Sequence, residues 1–180
     1  KVWDQNSSYY VWEDGDGTKH YFLYESSGTY KDEDGLELTL TTTGSGNTKY
    51  KIVDKYGNAS CFDTSGRLTS MVNNQATPSS ITITYQNDLI SKITDGVGRA
   101  YNFTYTNGLL TRISYVGKGT TEIAYVTFGY TGSQLTSITE QDGKTSNYTY
   151  TSNLLTTAED IDGYKIQYAY SSGTPKRVVG

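Results

Sequence analysis

NYTYTSNLLT, at residues 147–156, decides the fold because the chain writes it repeatedly. NFTYTNGLLT stands at 102–111, ITITYQNDLI at 81–90, VTFGYTGSQLT at 126–136 and IQYAYSSG at 166–173. The second Tyr of each pair falls at Tyr85, Tyr105, Tyr130, Tyr150 and Tyr170, in steps of 20, 25, 20 and 20 residues. The long step contains an insertion, YVGKGTTE at 115–122. Two residues before each Tyr come Ile83, Phe103, Phe128, Tyr148 and Tyr168, and a spacing of two puts both side chains on one face of a strand. Copying at a fixed short period indicates architecture assembled from stacked units.

Each unit continues with a polar turn and an apolar-Thr step at Leu110-Thr111, Leu135-Thr136 and Leu155-Thr156. Asn and Gly in those turns tolerate the positive φ that tight hairpins need. An acidic-Gly turn closes the unit at Asp95-Gly96, Asp142-Gly143 and Asp162-Gly163. The pattern predicts one β-hairpin per 20 residues, joined to the next as a meander. A lone hairpin is marginal in water, so the hairpins must lie side by side and share their Tyr, Leu and Ile rows.

Residues 14–35 and 54–71 read as looser versions of the unit, whereas the first dozen residues, with Trp3 and Trp12, do not fit it. The expected organisation is a capping or degenerate-repeat region over 1–53, then hairpin repeats over 54–180 in one continuous sheet. NNQATPSS at 73–80 reads as a long loop within that sheet. Both ends read as cut from something longer.

The composition agrees with an all-β sheet. The chain has 18 Tyr but only 34% hydrophobic residues, which suits half-buried aromatic strands better than a deep aliphatic core. The net charge of −4 and the lack of a Lys/Arg cluster argue against a nucleic-acid partner. The apolar runs are too short for membrane insertion as a helix. A single Cys61 forms no internal disulfide and reads as a small buried hydrophobe.

Taken together, Tyr-x-Tyr, the turn, Leu-Leu-Thr and the acidic Gly turn resemble the Rhs or YD repeat. The likeness covers about 54–171 well and 14–40 loosely, with the flavour of wall-associated Rhs proteins of Gram-positive bacteria. Similar repeats occur in toxin-delivery proteins and teneurins. The resemblance implies a curved or spiralling antiparallel sheet, part of a shell or stalk, in an extracellular or cell-wall-associated protein. Its partners would be other repeats of the parent protein. The Asp that names the repeat is replaced by Gln86, Thr106, Thr131, Thr151 and Ser171, and only Phe62-Asp63 keeps it.

No catalytic pattern emerges, and a non-enzymatic module is expected. The acids Glu13-Asp14-Asp16, Asp32-Glu33-Asp34, Glu140-Asp142 and Glu159-Asp160-Asp162 recur with the turns, which reads as turn chemistry rather than a glycosidase pair. DGDG at 14–17 and DEDG at 32–35 are incomplete calcium loops, so the expected cofactor is none, with weak surface calcium as the alternative. His20 reads as a surface strand residue. Trp3, Trp12, Tyr148 and Tyr150 are the candidates for stacking on sugar rings, if the protein instead binds a cell-surface glycan or another surface protein.

Overall fold

In the computed structural model, which describes residues 1–6 and 8–179, the chain is an antiparallel β-meander that is not closed into a barrel. The described residues contain one 3-10 turn, Gly46–Thr48, and no α-helix. Two compact units divide the chain, Lys1–Arg99 and Ala100–Gly180.

The first unit holds ten strands: β1 (Val2–Asp4), β2 (Tyr9–Glu13), β3 (Lys19–Ser26), β4 (Thr29–Asp32), β5 (Thr39–Thr41), β6 (Tyr50–Val53), β7 (Ala59–Phe62), β8 (Leu68–Val72), β9 (Ser80–Gln86) and β10 (Leu89–Thr94). Each pairs with the next in sequence. Period-two alternation selects the inward side chains. In β3, for example, His20 and Phe22 are buried while Lys19 and Leu23 are exposed. Val2, Phe22, Tyr30, Leu40, Ile52 and Phe62 form a buried cluster, each from a different strand. Tyr10, Trp12, Leu38, Tyr50 and Leu68 pack around it. Phe22 and Leu40 are fully buried, and burying such side chains contributes about 1.5–3 kcal/mol each. This is a deeper core than the composition suggests.

The first dozen residues, which lie outside the repeat pattern, become β1 and β2. The Lys1 amino group donates to the Glu13 carbonyl at 2.6 Å. The Val2 N–H donates to the Gly66 carbonyl at 2.9 Å, so β1 is also tied to the turn after β7. A Cβ on Gly66 would lie 1.7 Å from the Val2 oxygen, and Gly66 has a φ of +73°, so only glycine serves there.

The second unit holds β11 (Ala100–Thr106), β12 (Leu109–Val116), β13 (Glu122–Thr131), β14 (Gln134–Glu140), β15 (Thr145–Thr151), β16 (Leu154–Glu159) and β17 (Lys165–Gln167), again paired in order. Most of its aromatic and aliphatic positions are half-buried, while Tyr101, Ile123, Tyr164 and Ile166 are exposed. Among its described residues with side chains beyond hydrogen, only Ala100 and Ser114 are buried.

The hairpin tips explain the Leu-Thr step. Tyr105 faces Leu110 while Thr104 faces Arg112, which leaves Thr111 as the extra residue of a β-bulge. The same slip leaves Thr136 in β14, Thr156 in β16, Ser91 in β10 and Thr69 in β8. At four of these bulges the hydroxyl of the extra residue bonds the partner strand. Thr111 donates to Thr104 at 3.2 Å, Thr156 to Thr149 at 3.1 Å, Ser91 to Thr84 at 3.1 Å and Thr69 to Cys61 at 3.1 Å, each time to the main-chain carbonyl.

The two kinds of turn differ in chemistry. Asn87-Asp88, Asn107-Gly108 and Ser152-Asn153 each place both central residues at positive φ, the requirement of a type I′ hairpin. The opposite ends, and the β7–β8 tip as well, use a three-residue loop closed by a left-handed glycine. There, one carboxylate oxygen of the leading Asp accepts the N–H groups two and four residues on, as at Asp54, Asp63, Asp95 and Asp160. The spacing is therefore Asp-x-x-Gly. After Asp95 the positive-φ residue is Gly98, not Gly96, which abuts Ser79; Gly143 and Gly163 do hold the left-handed position. At Glu140 the longer side chain leads, and Asp142 instead accepts the Lys144 N–H.

Candidate functional site

Three arrangements carry the chemistry of the molecule: the repeated tips, a cleft in the first unit and a buried histidine beside that cleft.

At the tips, pairing between successive hairpins stops before the turn. The β14–β15 ladder runs only from Ser137 to Thr139, and the β16–β17 ladder only from Thr157 to Glu159. Beyond each ladder a tyrosine hydroxyl reaches the Leu carbonyl. Tyr150 donates to Leu135 at 2.9 Å, Tyr170 to Leu155 at 2.7 Å, Tyr130 to Leu110 at 2.9 Å and, in the first unit, Tyr85 to Leu68 at 2.8 Å. At Tyr85, Tyr130, Tyr150 and Tyr170 the second residue of the pair is thus both a packing residue and a hydroxyl staple to the preceding hairpin. The first aromatic needs only bulk, so Phe103, Phe128, Tyr148 and Tyr168 interchange.

Asp63 directly follows Phe62 at the end of β7. It sits in an Asp-x-x-Gly loop at a tip, caps the Ser65 and Arg67 N–H groups and receives Arg67 Nε at 2.8 Å. Its burial opposes ionisation, but these donors hold its carboxyl below the usual carboxylate range. Arg67 also lies over the Tyr85 ring at 4.5 Å.

The cleft, of about 460 Å³, is lined by Trp12, Leu38, Ile52, Ala59, Met71, Val72 and Ile81, with Asp54, Asn58, Asn73 and three serines at its rim. Much of that rim is engaged in loop structure: Asp54 takes N–H groups from Tyr56 and Asn58, and Asn73 takes the Ser79 N–H. Met71 and Ile81 are 42% and 40% exposed, which leaves an apolar edge in water.

His20, expected on the surface, is 9% exposed. The correction follows from the strand register, which sets it opposite Trp12 on the inward face, with the rings 5.0 Å apart. Its Nε2 lies 3.1 Å from Asp14 Oδ2 and its Nδ1 lies 3.1 Å from Asp34 Oδ2. Asp14 is further bound by the N–H groups of Asp16 and Thr18. Its pKa falls to about 2, through Asp16 first and His20 second. Burial works to lower the His20 pKa, and the two carboxylates more than reverse it, leaving it raised.

The sequence candidates do not converge. Trp12 lines the cleft, while Trp3 donates from Nε1 to Gln5 at 3.1 Å and carries the Lys19 ammonium 6.0 Å over its ring. Tyr148 borders a separate hollow of about 180 Å³ with Tyr164, Glu159, Asp160 and Ile166, and Tyr150 serves the staple to Leu135. The described residues bring no group of three or more His, Cys, Asp or Glu side chains into a metal-holding arrangement. Sequence reasoning missed the hydroxyl staple, although its signal was present: the second aromatic is Tyr in all five pairs, while the first varies.

No family model matches the chain, and no curated protein matches it at significant similarity.

Proposed function

We propose that the chain is a non-enzymatic structural module, a run of Rhs-like hairpins whose work is to form sheet in a secreted or cell-surface bacterial protein. The observation that carries this reading is the staple from Tyr to the preceding Leu carbonyl, made four times at the same place in the hairpin. Its geometry is devoted to joining neighbours, and neighbouring hairpins supply its partners. Excising residues 141–160 tests the reading, since it removes one whole hairpin and leaves Tyr170 opposite Leu135. The shortened chain is expected to keep a β-type far-UV spectrum and a single cooperative unfolding transition, while excision of 141–150 destroys both. Equal damage from the two deletions overturns the proposal.

A second reading rests on Trp12. It is a half-buried indole at an apolar cleft with an amide and hydroxyl rim, which suits a neutral sugar ring. Glycan-array binding lost in Trp12→Ala but kept in Trp3→Ala supports it, and a blank array sinks it.

A further inference from the structure

His20 is the one titratable ring in the first unit with both nitrogens committed to carboxylates. We propose that Asp14, His20 and Asp34 form a pH-sensitive clip that fastens the segment carrying Asp34 to the turn carrying Asp14, beside the Trp12 and Leu38 wall of the cleft.

The argument begins with donors. A neutral imidazole has one N–H and one lone pair, whereas the imidazolium donates from both nitrogens. Both nitrogens here face carboxylate oxygens at 3.1 Å. In the neutral form one of those contacts would set a lone pair against an anionic oxygen, so only the protonated ring satisfies the arrangement. The raised pKa agrees with that geometry.

Every element packed round the ring can be assigned a part. The β2–β3 turn supplies Asp14, with Asp16 bound to it. On β2, Trp12 covers the ring and Glu13 stands opposite Lys19 of β3. The β4–β5 segment supplies Asp34, flanked by Glu33, whose N–H donates to Tyr21, and preceded by Asp32, which accepts the N–H groups of Leu36 and Leu38. The two sides are not equally fixed. Asp14 is held by its own turn, while the Asp34 side chain is 41% exposed. When the ring loses its proton, Asp34 is therefore the contact that breaks.

The sign follows from linkage. A histidine whose folded pKa is raised stabilises the fold fully below its unfolded value of about 6.5, and that contribution is lost as pH rises through the folded value. The clip is closed below the folded His20 midpoint, which lies above the ordinary histidine value, and loosens as pH rises through it. This holds whether or not the cleft takes a ligand.

The test is an NMR titration of the intact chain, following the His20 ring, the Trp12 indole and the amides of Asp34, Gly35 and Leu36. The expected result is a His20 midpoint above that of free imidazole, with all of these signals moving on the same curve. Hydrogen-exchange protection at Leu36 falls about tenfold across it, the scale of one charge-assisted hydrogen bond, while Ile52 and Cys61 stay unchanged. Asp34→Asn lowers the midpoint and uncouples residues 34–36 from it. A His20 midpoint at or below the free value, or loop amides that ignore it, overturns the proposal.

Discussion

The two units solve the same problem with different means. Residues 1–99 bury Val2, Phe22, Leu40, Ile52 and Phe62 in one cluster. Residues 100–180 bury no aromatic or branched aliphatic side chain to that degree among those described, and rely on the bulge hydroxyl and the tyrosine staple, which the first unit adds to its core at Thr69, Ser91 and Tyr85. A β-meander can thus be stabilised by depth in one place or by repetition along a surface. Depth concentrates energy in a few residues. Repetition spreads it so that no single position dominates.

Truncation is the strongest way to break that contrast. Phe22→Ala should cost about 3–5 kcal/mol in urea unfolding of the intact chain, whereas Phe128→Ala, at a half-buried site, should cost well under that. Equal losses would erase the distinction between the units. Next in size is the staple: Tyr150→Phe removes only the hydroxyl and leaves the Leu135 carbonyl unserved, which should cost about 1 kcal/mol. Tyr148→Phe, at a position that Phe occupies in two sister hairpins, should be within about 0.5 kcal/mol of no effect. Between these two falls Thr156→Val, which keeps the shape of the bulged residue and deletes the bond to Thr149, at roughly 0.5–1 kcal/mol.

The meander and its hairpins were legible because both are written in periodicity. Spacing of two named the strand faces, and Asn-Gly named a tip. The core of the first unit was not legible in the same way. Its members come one per strand from β1, β3, β4, β5, β6 and β7, so no local window of sequence contains the cluster. His20 was misread for the same reason, since its partners are 6 and 14 residues away, on separate loops. Gly96 was mistaken for the turning residue because Asp-Gly adjacency looks like a turn, while the carboxylate works through the N–H groups two and four residues further on.

The insertion at 115–122 gives the staple a wider meaning. Tyr130 reaches back 20 residues to Leu110, whereas Tyr150 and Tyr170 reach back 15, and the bond is the same. The contact is registered by place in the sheet and is indifferent to the length of chain between hairpins. One margin of the sheet is consequently fixed by bulge, tip and hydroxyl, while the other is editable. New sequence can be spliced into the editable margin, between hairpins, without disturbing the pattern that holds them together.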